Sequence, residues 1–230
     1  MPMPDSTAER PDAERSLADE AYRRLEALIV TLRLAPGATV TEPELSRLLG
    51  IGRTPVREAT HRLGRDGMIL VKPRKGMFIS EVNPFEQLTV LETRQVLERL
   101  LARSAARFAN PLDRERLGAC AIAMAAAAAA GDIDDFMAED KTFDGIVAMA
   151  SRNRFAATAV APLQTMSRRF WYAFLGARDL AATAERHLAI MEAIAAGDVE
   201  AAGQKSDELM AHLHRAARKA IEASTPGVNS

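Results

Sequence analysis

The spacing of apolar residues changes character twice along the chain. From about Ser16 to Leu34, Ala21, Leu25, Leu28, Ile29 and Leu32 recur at helical intervals. Pro36-Gly37 ends that helix. Thr41 and Glu44 form a capping-box pattern with Pro43 in the first turn, which predicts a short helix to Leu49. Gly50-Ile51-Gly52-Arg53 reads as a tight turn. Thr54-Pro55 then restarts a helix, with Thr54 as its cap and Gly67 as its stop. Met68–Val71 and Met77–Ile79 read as strands, joined by a hairpin turn at Pro73-Arg74-Lys75-Gly76. Beyond a hinge at Asn83-Pro84 the period is helical to the end. The expected helices cover 85–109, 112–130, 133–150, 153–175, 179–196 and 198–223, with stops and caps at Asn110-Pro111, Gly131-Asp132, Gly176 and Gly197-Asp198.

The expected fold class is mainly α. An N-terminal winged helix-turn-helix covers 16–82 and an all-α C-terminal helical bundle covers 83–224. Polar residues 1–15 read as a disordered arm and 225–230 as a tail. With 230 residues, 48% of them hydrophobic but only 5% aromatic, the chain suits close helix packing on its many alanines. Thirty Lys and Arg against 31 Asp and Glu leave whole-chain charge uninformative about nucleic acid. A single cysteine, Cys120, excludes a disulfide framework or zinc-finger cluster and fits a reducing compartment. The start, MPMPDSTAER, is not a signal peptide, and the longest apolar run, Ala119 to Ala130, is too short for a bilayer span. The expected location is cytoplasmic, with no membrane partner.

Charge becomes informative locally. Between Leu45 and Ser80 stand Arg47, Arg53, Arg57, Arg62, Arg65, Lys72, Arg74 and Lys75, against only Glu58 and Asp66. Two short helices about a glycine turn, followed by a basic hairpin, suit double-stranded DNA. Arg53 and Arg57 fall at the start of the second helix, where guanidinium groups meet guanine edges. Thr54 and the helix N-terminus suit a phosphate, and Arg47 belongs to the same patch. Arg74, Lys75 and Gly76 at the hairpin tip suit an adjacent minor groove. The competing reading is a solvated basic face on ordinarily packed helices.

In the second half, polar residues interrupt apolar stripes. Asp140 shares its face with Ile133, Phe136, Phe143 and Val147, and Asp144 lies one turn on. His187 is flanked by Ile190, Met191 and Ile194, and His212 stands beside Leu209. Two carboxylates and two imidazoles from three helices suit a divalent transition metal. Alternatively, the carboxylates pair with nearby arginines and the histidines are core residues. Arg94, among Val90, Leu91, Leu97 and Leu101, is either paired with Glu98 or a fork for a small carboxylate. Asn153 is either a pocket residue or a helix cap. Catalysis finds no support: HExxH, GxSxG and a Gly-rich phosphate loop are all missing, and Cys120 reads as packing.

The run TEPELSRLLGIGRTPVREATHRLGRDGMILVKPRKGMFI resembles the DNA-binding domain of the GntR family of bacterial transcription regulators. Arg53-Thr54-Pro55-Val56-Arg57-Glu58-Ala59, Leu63, Gly67 and Gly76 carry the likeness. Gly52 departs from it, standing where the family has a Ser or Thr phosphate contact, and Pro43 replaces a polar backbone contact. The helical half resembles the FadR-type effector domain, which implies a homodimer on a palindromic operator. In relatives of that type an arginine of the first effector helix holds a ligand carboxylate, and many bind a metal through one Asp and three His. The resemblance therefore implies a Zn, Ni or Mn site at Asp140, His187 and His212, with Asp144 where His is more frequent. It implies a small organic acid on Arg94 and, by the direction more common in relatives, a repressor released by ligand. Ligand would favour one helix arrangement, and the Asn83-Pro84 connection would then re-place the two recognition helices.

Overall fold

The computed structural model describes residues 16–224; the expected arm 1–15 and tail 225–230 lie outside the described residues. Among the described residues nine α-helices and one small sheet follow in the order α1 Leu17–Val30, β1 Thr39–Val40, α2 Glu42–Leu49, α3 Arg53–Arg65, β2 Ile69–Lys72, β3 Gly76–Ile79, α4 Pro84–Phe108, α5 Pro111–Ala130, α6 Ile133–Ala150, α7 Arg154–Phe174, α8 Leu180–Ala196 and α9 Val199–Ser224. They form two compact units, with the break between Ser80 and Glu81; Val30–Leu32 belongs with the second.

In the first unit, α1, α2 and α3 bury Ala21, Leu25, Ile29, Leu45, Leu49, Val56, Ala59 and Leu63, closed by Met68 and by Val40, Ile69 and Ile79 from the sheet. The expected capping box forms: Thr41 N–H donates to Glu44 Oε2 at 2.9 Å while the Thr41 side chain accepts from Glu44 N–H at 3.4 Å. Gly50, at φ 66°, ends α2 in the left-handed conformation that glycine adopts without a Cβ penalty. Three local expectations need correction. Helix α1 stops at Val30 rather than near Leu34, with Leu32 at φ 60° turning the chain. Helix α3 starts at Arg53 with Gly52 as N-cap, not at Pro55 with Thr54 as cap. Strand β1 was not anticipated: two residues are too few for a period, yet they pair antiparallel with β3 to give the order β1-β3-β2.

In the second unit α4 packs against α6, α7, α8 and α9, and α5 against α6 and α8. Asn83, Asn110, Asp132 and Asn153 cap α4, α5, α6 and α7 with their side chains. The core is aliphatic and alanine-rich, with Leu91, Leu101, Ala105, Met124, Phe136, Phe170, Ile194 and Met210 all buried. One stripe of α4, however, runs Gln87, Leu91, Arg94, Glu98, Leu101, so three polar residues face inward. Helix α7 answers with buried Gln164, Ser167 and Arg168. Gln87 Nε2 donates to Ser167 Oγ at 3.0 Å, and Gln164 Nε2 to Glu98 Oε1 at 3.4 Å. Partnering of this kind makes buried polar groups tolerable.

Candidate functional site

In the first unit, α3 turns Val56, Ala59, Thr60 and Leu63 inward. Its outer face carries Arg53, Thr54, Arg57, His61 and Arg65, all exposed. Arg53, Arg57, His61 and Arg65 follow at intervals of four and so line one stripe. Arg47 of α2 is exposed nearby in the sequence, across the Gly50 turn. Among the described residues Arg47, Arg53, Arg57, Arg74 and Lys75 have no acidic partner, so their charges are available to a polyanion. Arg62 does not belong with them: it bonds Asp19 at 2.5 Å and lies 4.3 Å over the Tyr22 ring, fastening α3 to α1. His61 was missed by sequence reasoning, because it breaks the arginine pattern while keeping its spacing.

Gly52 offers no side-chain cap to α3, and Pro55 has no N–H. The Arg53 and Thr54 amides therefore head an uncapped helix end, where dipole and free donors favour an anion. The β2–β3 hairpin is a short wing with Lys72 opposite Gly76. Lys75 N–H donates to Lys72 O at 3.0 Å, and Arg74 takes φ 62°. A turn with Pro second and positive φ third favours Gly or Asn at that third position. Arg74 thus holds a conformation costly for its residue type at the exposed tip of the wing.

In the second unit, Arg94, Asp140, Arg168 and His187 converge from α4, α6, α7 and α8. They line one cavity with Gln87, Phe136 and other residues. Its free volume is about 30 Å³, room for one or two waters. An organic acid would have to enlarge it.

The expected four metal ligands do not assemble. Arg168 Nη1 lies 3.0 Å from Asp140 Oδ2 and 2.6 Å from Asp144 Oδ2, bridging the two carboxylates. The other oxygen of Asp140 faces His187 Nε2 at 3.1 Å. His187 Nδ1 lies 3.0 Å from the Thr183 carbonyl, to which it donates, so His187 alone is oriented as a ligand would be. His212 turns away: its Nε2 is 2.8 Å from Asp179 Oδ2 and 3.3 Å from Thr183 Oγ1. Among the described residues no three His, Cys, Asp or Glu side chains form a group that could hold a metal ion. The residues present do not fit the metal that the family resemblance implies. The reason is Arg168, a cation that the sequence reading left out of the set.

Electrostatics follow from this geometry. His187 and Arg168 offset the burial of Asp140 and hold its carboxyl well below the usual range. Burial, and then the Asp140 charge, push Asp144 up to about 7. His187 is buried, but Asp140 raises its pKa above the ordinary imidazole value. Burial lowers that of His212.

Arg94 is 5% exposed. Its Nε and Nη2 lie 2.7 and 2.6 Å from Glu98 Oε1, so the Glu98 pairing that the sequence allowed is formed. Asn153 accepts from Ala156 N–H at 3.1 Å and caps α7; it is not among the residues lining the cavity, which corrects its reading as an effector residue. Cys120 is buried, with its thiol pushed up to about 12 by burial, and is inert packing. Among the described residues no helix is long and apolar enough to cross a membrane.

A basic, uncapped recognition helix with a wing, followed by an all-α domain, defines a winged-helix DNA-binding protein. Comparison with known proteins makes the class specific. Residues 17–79 match the bacterial regulatory proteins of the gntR family, and residues 89–215 match the FCD domain. The putative L-lactate dehydrogenase operon regulatory protein of Escherichia coli K12 is 30% identical over 232 residues, covering 86% of this chain and 84% of its own. An Agrobacterium vitis transcriptional regulator of the helix-turn-helix type is 33% identical over 136 residues, covering 57% of this chain and 80% of its own. A Streptomyces ambofaciens regulator is 43% identical, but this chain spans only 28% of its length. Among solved structures, McbR/YncC of Escherichia coli superposes with a TM-score of 0.78 at 21% identity, covering 90% of this chain and 99% of that one. The chain belongs to the gntR family of bacterial regulatory proteins, with an FCD domain as its second half. It is a DNA-binding transcriptional regulator, and its relatives and fold are those of regulators rather than enzymes.

Proposed function

We propose that this regulator is a dimeric repressor whose helical domain senses a small organic acid. The observation that carries the sensing half is the cavity lined by Arg94, Arg168, Asp140 and His187, buried polar groups converging among apolar walls. Guanidinium matches carboxylate geometry, so Arg94 is assigned to the ligand's carboxylate. A relative named for an L-lactate dehydrogenase operon is consistent with a small acid. The bridging of Asp140 and Asp144 by Arg168 favours the form of this reading without a metal.

On DNA, Arg53 and Arg57 are assigned to base edges in the major groove. Arg47 and Thr54 are assigned to the backbone, and Arg74, Lys75 and Gly76 to the adjacent minor groove. One helix-turn-helix reads a half-site, which favours a two-fold dimer on a palindrome. Met149 of α6 stands exposed in a groove between α5 and α6 lined by Ala119, Ala123, Gly145 and Ile146 with Arg116 and Glu139 beside them, a mixed face available to a second copy. The small size of the cavity makes the response a population shift: acid selects an enlarged form with altered DNA affinity.

The test is a melting screen of small carboxylic acids, followed by DNA binding with the acid that shifts the midpoint most. The expected results are a rise that Arg94→Ala loses and weaker DNA binding with acid present. No rise with any acid, or an undiminished rise in Arg94→Ala, refutes the assignment.

A further inference from the structure

We infer that the Arg168 guanidinium is the fixed cation of this effector domain, standing in the place of a divalent metal ion. Asp140 and Asp144, the two carboxylates expected as ligands, meet on one nitrogen, Nη1, at 3.0 and 2.6 Å. The imidazole expected as the third ligand, His187, closes on the remaining Asp140 oxygen at 3.1 Å. One positive group therefore holds the two carboxylates that a metal would hold, and His187 joins them through Asp140. It also does a metal's mechanical work, because Asp140 and Asp144 lie on α6, Arg168 on α7 and His187 on α8.

The exchange changes the site's chemistry. A metal ion accepts ligands and a chelator removes it. Arg168 only donates, stays charged and is part of the chain. Its bonds to the protein are both made through Nη1, while the side chain lines the same cavity as Arg94. The pocket thus offers an incoming carboxylate two guanidinium groups and no Lewis acid. This last step rests on the organic-acid reading above; the cation assignment does not.

The experiment uses the full chain, incubated with Zn²⁺, Ni²⁺ or Mn²⁺, gel-filtered and assayed for metal, with melting midpoints taken with and without EDTA. The wild type is expected to carry only substoichiometric metal and to melt alike in both. Arg168→Ala leaves Asp140, Asp144 and His187 facing vacated space. It is expected to gain an ion-dependent rise in midpoint that the wild type lacks. Should that variant fail to fold, Arg168→Lys keeps a cation and is expected to fold metal-free. Stoichiometric wild-type metal, lost to EDTA with a fall in midpoint, overturns the inference. So does a folded Arg168→Ala chain indifferent to all three ions. Malonate and succinate serve as acid probes in the same assay. A metal-free wild type that ignores both keeps the cation assignment and counts only against the acid reading.

Discussion

Replacing Arg168 by Met keeps most of the side-chain volume and deletes the charge. Arg168 is 8% exposed, and Asp140 and Asp144 are 14% and 11% exposed, so water does not replace the lost partner. Breaking a buried pair by removing one member costs about 3–5 kcal/mol, because the other charge stays behind. For a domain of this size that lowers the melting temperature by roughly 10 °C. The loss is expected to be smaller at pH 5.5 than at pH 8, since a stranded carboxylate can take up a proton, at about 1.4 kcal/mol per unit of pKa. The assay is thermal unfolding followed by circular dichroism at both pH values, for the wild type, Arg168→Met, Asp144→Asn and the double variant. Adding Asp144→Asn to Arg168→Met is expected to recover about 2 kcal/mol of the loss, the signature of directly coupled groups. An Arg168→Met chain as stable as the wild type at pH 8, or effects that simply add, would refute the bridging role.

Further predictions concern both units. Asp144 titrates near 7 folded and in the ordinary carboxylate range unfolded, so the folded chain holds more protons between about pH 4 and 7 and stability falls as pH rises through that window. His187, raised above its ordinary value, adds a fall at higher pH, so wild-type melting points should drop from pH 5 to 8 and drop less in Asp144→Asn. Arg57→Ala should weaken specific DNA binding by about 1–3 kcal/mol, measured by fluorescence anisotropy, and leave the melting curve unchanged. Arg74→Gly suits the φ of 62° and should leave stability unchanged or slightly raised while DNA affinity falls; a gain in affinity would remove Arg74 from the interface.

Much of the architecture was legible because its punctuation is chemical. Thr41 and Glu44, Asn110-Pro111, Asp132 and Gly197 mark helix ends through their own hydrogen bonds or φ angles. The start of α3 differs from the sequence reading because Thr54-Pro55 looks like a cap and first residue, whereas Gly52, with no side chain to signal, occupies the N-cap position and leaves the helix end uncapped. Helix phase placed Asp140, Asp144, Arg94 and His187 inward, as observed. Phase does not give the depth or rotation of one helix against another. Which buried polar groups meet was therefore not legible: His212 found Asp179, and Arg168 found both carboxylates. Arg168 shares its face with Gln164 and Ser167 as well as Val160 and Trp171, so no clean apolar stripe marked it as buried.

On the reading proposed above, the stripe of Arg53 and Arg57 reads DNA for a two-fold regulator. The most direct measurement is selection of genomic fragments by the full-length protein, sequenced in parallel for the wild type and for Arg53→Ala/Arg57→Ala. Enrichment of an inverted repeat by the wild type, lost in the double variant, is the predicted result. No enriched sequence, or the same repeat recovered by both proteins, would contradict it.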